Sequence, residues 1–228
     1  MSPDARLCLA LDGCTPRQAL AWIARTRDRI GVFKVGLELF CAGGPALVDA
    51  CRDAGAEAIF LDLKLHDIPR TVARAIAGAA RPGVRWITVH GGGGRAMLEE
   101  AQVAAEAAGV GLLAVTVLTS LDAEAADEAG LLAVPEVARR RARLAAEAGL
   151  TGIVCSVHEA SDLRARHPTL LRVVPGIRWA EAAADDQRRV ADPAQAIKAG
   201  ADVLVVGRMV TQAADADEAL QRIQEAIP

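Results

Sequence analysis

A (β/α)₈ TIM barrel is the fold class that this sequence predicts, and three observations predict it. Short runs rich in Val, Ile and Leu recur along the 228 residues, Ala-rich helical segments separate them, and polar or charged residues collect just past the ends of most of the apolar runs. Alternating strands and helices are the sign of βαβ units around a parallel sheet. Eight such units in a chain of this length fit one barrel, so residues 1–228 are read as a single α/β domain. An open doubly wound sheet is the alternative. It would usually carry a Gly-rich phosphate turn after its first strand, and Asp12-Gly13-Cys14-Thr15 is not one.

Strand one is expected at residues 7–11 and runs into Asp12, with a helix over 15–28 behind it. Strand two, 32–35, carries Lys34 before Val35-Gly36, and a helix over 45–54 closes on Asp53-Ala54-Gly55, where Gly takes the left-handed cap. Strand three, 58–63, brings Ile59, Phe60 and Leu61 straight into Asp62, Lys64 and Asp67, ahead of a helix over 71–80. Strand four, 86–89, ends in His90 and the glycines Gly91 to Gly94, and the helix over 95–108 stops at Gly109. Strand five, 112–117, leads to Thr119-Ser120, and a helix over 135–148 stops at Gly149. Strand six, 152–155, precedes a helix over 159–166. Strand seven, 171–174, ends in Pro175-Gly176-Ile177-Arg178, with a helix over 193–199 after it. Strand eight, 203–206, ends in Gly207-Arg208 before a last helix over 215–227.

In a barrel of this kind the chemistry sits at the C-terminal ends of the strands. Each polar residue there has a simple structural reading: Asp12 as a turn cap, His90 as a satisfied core histidine, Asp62-x-Lys64 as an ion pair at a strand end. In an extended strand Asp62 and Lys64 share one face while Leu61 and Leu63 share the other. Burying those charges costs several kcal/mol per ion, on the order of the effective penalty in real proteins, unless they are paired. Charge at one end of several strands therefore suggests mutual pairing or a charged ligand. Gly207-Arg208 stands where barrels hold a phosphate on backbone N–H groups and a cation. The polar stretch from Arg178 to Arg189, with Gln187 in it, has the composition of a lid or of an ordinary long surface loop.

Composition narrows the function classes. A hydrophobic content of 52% supplies a core, and a net charge of −3 with 3% aromatic residues argues against a nucleic-acid surface. The Arg139-Arg140-Arg141 run with Arg143 reads as a solvated helix face. Cys8, Cys14, Cys41, Cys51 and Cys155 show no C-x-x-C spacing, so neither a zinc site nor a disulfide framework is expected and a reducing cytoplasm fits; Cys14 is assigned no role. Neither a signal peptide nor a membrane span is expected.

With these residues collected, the chain resembles the orotidine 5′-phosphate decarboxylases of the bacterial type over essentially its whole length. The resemblance rests on D-x-K-x-x-D-I-P-x-T, present as Asp62, Lys64, Asp67, Ile68, Pro69 and Thr71. It is supported by Leu11-Asp12, Lys34-Val35-Gly36, Val89-His90, Leu118-Thr119-Ser120, Pro175-Gly176-Ile177-Arg178, Gln187 and Val206-Gly207-Arg208. Hexulose-phosphate synthases and ketogulonate-phosphate decarboxylases are similar in the D-x-K-x-x-D core and use a metal; the I-P-x-T continuation and the Pro-Gly-Ile-Arg to Gln stretch separate this chain from them.

The resemblance implies decarboxylation of orotidine 5′-monophosphate to UMP and CO₂, the last step of UMP synthesis, in the cytoplasm and without metal or cofactor. It implies Lys64, Asp62 and Asp67 as catalytic residues. Asp12 and Lys34 would hold ribose hydroxyls, with Lys34 also touching Asp62. Thr119 would meet the pyrimidine edge, with Ser120 the alternative one residue on. Gly207, Arg208 and Gln187 would grip the phosphate with Arg178 at the base of the lid. It further implies a homodimer in which Asp67 and Thr71 reach the neighbour's site, and neither a membrane partner nor any nucleic acid beyond the mononucleotide. The physical logic agrees. Loss of CO₂ leaves an electron pair in the ring plane that the π system cannot delocalise. Carboxylates within about 4–6 Å would keep Lys64 charged to meet it. Asp62 beside the departing carboxylate either stresses it, at about 4 kcal/mol for unit charges about 4 Å apart in a dielectric of about 20, or chiefly holds Lys64. A phosphate-binding protein without catalysis is the rival of a different class, and a mere binder gains nothing from these buried charges.

Overall fold

The structure, a computed structural model, describes residues 3–179 and 191–227. Its strands are β1 (Asp4–Ala10), β2 (Ile30–Gly36), β3 (Ile59–Leu65), β4 (Val84–His90), β5 (Gly111–Val115), β6 (Gly152–Val154), β7 (Leu171–Val174) and β8 (Val203–Val206). They pair in sequence order, all parallel, and β8 returns to β1 through Leu7↔Leu204 and Cys8↔Val205. Closure leaves no strand edge open to a second chain. The TIM barrel expected from the sequence is thus the fold.

Around the barrel lie α1 (Pro16–Thr26), α2 (Leu37–Asp53), α3 (Pro69–Ala79), α4 (Gly94–Ala108), α5 (Ala123–Glu128), α6 (Val134–Glu147), α7 (Val157–Arg166), α8 (Pro193–Lys198), α9 (Arg208–Thr211) and α10 (Ala216–Ala226). Local chemistry starts several of them. Thr15 and Gln18 form a reciprocal cap at α1, as Asp192 and Gln195 do at α8, each followed by a proline whose missing N–H costs the helix nothing there.

Alternation along the strands sorts side chains into two layers. Outward residues such as Leu9, Phe33, Ile59, Leu61 and Ile87 pack beneath the helices. Inward residues Cys8, Val32, Phe60, Trp86, Leu113 and Val173 fill the barrel, where the Phe60 and Trp86 rings meet edge to face at 6.1 Å. Such a ring pair adds about 1 kcal/mol beyond its buried area. Two residues further along, the same alternation turns Lys34, Asp62 and Thr88 inward above this apolar plug. The plug is the floor of the site.

The structure differs from the sequence reading in three places. The helix expected at 45–54 is the second part of α2, which begins at Leu37 and breaks at Gly44, whose φ of 57° interrupts the helix just before Pro45. The expected start at residue 45 coincides with this break, but Leu39, fully buried, anchors an earlier turn as well. Strand five ends at Val115 rather than residue 117, because Val117 leaves the sheet to pack with Val137 and Ala138 in a separate small cluster. α5 and α9 are short helices that the apolar pattern did not reveal; α5 starts on Asp122, whose carboxylate accepts the Ala125 N–H at 3.0 Å. Gly91–Gly93, directly after His90, form a 3₁₀ turn.

Candidate active site

Lys34 stands at the centre of the barrel mouth. It is buried on β2, and its Nζ donates to both oxygens of Asp12 at 2.9 and 2.7 Å and lies 3.4 Å from Oδ2 of Asp62. Burial works against the ammonium, but Asp62 and Asp12 outweigh it, and the Lys34 pKa stands above the ordinary lysine value. Gly36 makes room for this pair: a Cβ there would come within 2.4 Å of Asp12 Oδ1.

Asp62 is the shared partner. Its Oδ2 accepts from Lys64 Nζ at 2.8 Å, and its Oδ1 accepts from the Thr88 hydroxyl at 3.0 Å. Burial alone would raise its pKa; the Lys34 and Lys64 ammoniums, with the hydrogen bonds from Lys64 and Thr88, hold it below the ordinary aspartate value. Lys64 itself sits on an irregularity. Leu61 pairs with Ile87 and Leu65 with Val89, so β3 uses two more residues than β4 over the same span. Among the described residues Lys64 is the one non-glycine with positive φ, 48°. Its backbone N–H donates to Thr88 Oγ1 at 2.8 Å.

The remaining residues singled out in the sequence lie around this network. Asp67 and Thr71 are exposed at the start of α3, where Asp67 Oδ1 accepts the Ile68 N–H at 2.7 Å, and no salt bridge joins Asp67 to a described residue. Asp12, Lys34, Asp62 and Lys64 are therefore brought together within one chain, while Asp67 and Thr71 point to the rim. Thr119 is half-buried and Ser120 exposed in the turn after β5. Gly207 follows β8, and Arg208 is the exposed first residue of α9. The Arg178 N–H donates to Ala191 O at 2.9 Å and the Ala191 N–H to Gly176 O at 3.3 Å, which ties together the two ends of the segment expected to be a lid. Gln187 and residues 180–190 lie outside the described residues.

Sequence reasoning missed Thr88 and His66. Thr88 is fully buried on β4, and its signal was available: a hydroxyl at an inward position two residues before His90. His66 stacks on His90 with ring centroids 4.7 Å apart. His90 accepts the Gly92 N–H on Nδ1; burial, then Arg141, His66 and Lys64, push its pKa down to about 4. Among the described residues no three His, Cys, Asp or Glu side chains are grouped so as to hold a metal ion. All five cysteines are free thiols, and burial raises the pKa of Cys8 on the barrel axis. No helix of the described residues is long and apolar enough to cross a membrane.

Known proteins match the chain over nearly its whole length. The chain is 51% identical over 225 residues to the orotidine 5′-phosphate decarboxylase of Anaeromyxobacter sp. (strain K), covering 98% of each sequence. It is 46% identical over 226 residues to that of Nitrosospira multiformis, covering 98% of this chain and 94% of the relative. The crystal structure of orotidine 5′-phosphate decarboxylase from Lactobacillus acidophilus superposes with a TM-score of 0.83 at 31% identity, covering 99% of both chains. Residues 5–223 match the family described as orotidine 5′-phosphate decarboxylase / HUMPS, and the chain belongs to that family.

Proposed function

We propose that this chain decarboxylates orotidine 5′-monophosphate to UMP and CO₂ in pyrimidine synthesis, and that its own side chains do so without metal or cofactor. The observation that carries this reading is the ammonium of Lys64 fixed at 2.8 Å from Asp62 at the barrel mouth, backed by the ion pair of buried Lys34 with Asp12. In the reaction the bond from ring carbon 6 to the carboxylate breaks and its electron pair stays on carbon 6. Lys64 stabilises that pair and then transfers a proton to it, becoming a neutral amine that solvent recharges. A cation already held in place needs no reorganisation as the charge develops, which is where electrostatic catalysis gains most.

The substrate contacts are those that the family resemblance implies. Asp12 and Lys34 hold the ribose hydroxyls, Thr119 the pyrimidine edge, and Gly207, Arg208, Gln187 and Arg178 the phosphate. Binding energy from that remote phosphate helps to hold the charged site together. Asp67 and Thr71, exposed at the rim, complete the site of a second copy in a homodimer, and the enzyme is cytoplasmic. Purified protein mixed with orotidine 5′-monophosphate in EDTA should bleach the substrate's ultraviolet absorbance and yield UMP. Turnover that appears only with added Mg²⁺ would overturn the metal-free reading.

A further inference from the structure

Thr88 is a fully buried hydroxyl on β4 that touches both members of the reacting pair through different atoms. Its oxygen accepts the backbone N–H of Lys64 at 2.8 Å, and its proton goes to Asp62 Oδ1 at 3.0 Å. A hydroxyl has one proton, and an ionised carboxylate can only accept, so the direction of this relay is fixed: Lys64 N–H to Oγ1, and Oγ1–H to Asp62. Two consequences follow. Oδ1 of Asp62 is committed to Thr88, which leaves Oδ2 for Lys64 at 2.8 Å and Lys34 at 3.4 Å. The Lys64 N–H, displaced from the strand ladder by the extra residues of β3, finds its acceptor in a side chain.

The backbone of Lys64 needs such support. A left-handed lysine costs about 1–2 kcal/mol and persists only where its surroundings over-determine it. We infer that Thr88 is a positioning residue for the reaction: its hydroxyl sets the rotation of the Asp62 carboxylate and holds the backbone turn that aims Lys64. This rests on the reading of Lys64 and Asp62 as the groups that meet the substrate.

The test compares Thr88→Val, which keeps the volume and removes the hydroxyl, with Thr88→Ser, which keeps the hydroxyl. For Val, kcat falls about 10- to 100-fold, the scale of a misplaced reacting group, while KM and UMP affinity change less than about threefold. Ser restores kcat to within about threefold of the parent. The acid limb of the kcat profile moves to higher pH in Val, because Asp62 loses a donor to its charged form. If Thr88 merely fills space, Val leaves kcat and the pH profile where they were; that result, or a Ser variant no better than Val, overturns the inference. If Val does not fold, Thr88→Ala removes the hydroxyl with no clash and decides by the same readouts. A crystal structure of the Val variant gives an arm free of activity: Lys64 should leave the left-handed region, and an unchanged Lys64 would also overturn the inference. If the parent protein fails to turn over orotidine 5′-monophosphate, the proposed function fails, and that crystallographic arm still decides what Thr88 holds.

Discussion

Lys34 Nζ lies 3.4 Å from Oδ2 of Asp62, the same oxygen that Lys64 Nζ approaches to 2.8 Å, so one carboxylate oxygen is shared by two ammonium groups. Lys34 thereby neutralises a charge that burial would otherwise penalise, and leaves Lys64 the more exposed of the two cations, 31% against 9%. The buried ammonium supports; the accessible one can meet a substrate.

Replacing Lys34 by Met should therefore destabilise the fold through Asp62, which keeps its position and loses a partner. Breaking one side of a buried pair costs about 3–5 kcal/mol. Urea unfolding checks this. A loss below about 1 kcal/mol would mean that water already solvates Asp62.

Lys64→Ala should behave in the opposite way. Its side chain is partly exposed, and Asp62 keeps Lys34 and Thr88 as partners, so alanine should destabilise the fold less than the Lys34 change does, while turnover in EDTA drops by at least about 10³-fold, the upper range for loss of one preorganised group. Calorimetric binding of UMP separates the two effects, since the proposed phosphate contacts are untouched. Residual turnover above a few per cent would remove Lys64 from the proton transfer.

The strand ends were legible in the sequence because inward alternation is a rule of period two: Val32 to Lys34 and Phe60 to Asp62 each climb from the plug to the polar layer. What that rule does not contain is the irregularity at Lys64. Strict alternation puts Asp62 and Lys64 on one face, but the two extra residues of β3 and the positive φ depend on what β4 offers opposite them. Thr88 was overlooked for the same reason, since a lone threonine inside an apolar strand reads as a β-former until its partners are known. α5 escaped because six residues are too few for a helical period to show.

Two opposed pH limits follow from the site. Asp62 has a folded pKa below the ordinary 3.8, so its stabilisation is present above that value and is lost as pH falls through the folded pKa. Lys34 is raised above 10.5, so its contribution is present below that value and is lost as pH rises through the folded pKa. His90 adds a nearer limit. With a folded pKa of about 4 against an ordinary 6.5, the unfolded chain binds a proton between those values that the folded chain refuses, so stability falls as pH drops from 6.5 toward 4. His90→Asn, which keeps an acceptor for the Gly92 N–H, should flatten that part of the urea-midpoint profile. An unchanged slope would place the acid sensitivity elsewhere.

Gly36→Ala separates ligand binding from folding. Gly36 has φ −85°, which any residue tolerates, so the substitution carries no backbone penalty. The added methyl would meet Asp12 Oδ1 at 2.4 Å and Lys34 Nζ at 3.3 Å. Asp12 is 54% exposed and can swing into solvent, so it should yield and its contact with Lys34 should open. Lys34 keeps Asp62 at 3.4 Å and only the solvent-exposed partner is lost, so stability should change by about 1 kcal/mol or less. The position that Asp12 abandons is the one proposed to hold a ribose hydroxyl. KM should therefore rise about tenfold, the worth of one charge-assisted hydrogen bond, with kcat reduced less. Steady-state kinetics beside urea unfolding distinguish the outcomes. A KM like the parent's, with the Asp12 side chain displaced in the variant's crystal structure, would take Asp12 out of substrate binding and leave it as the counter-ion of Lys34.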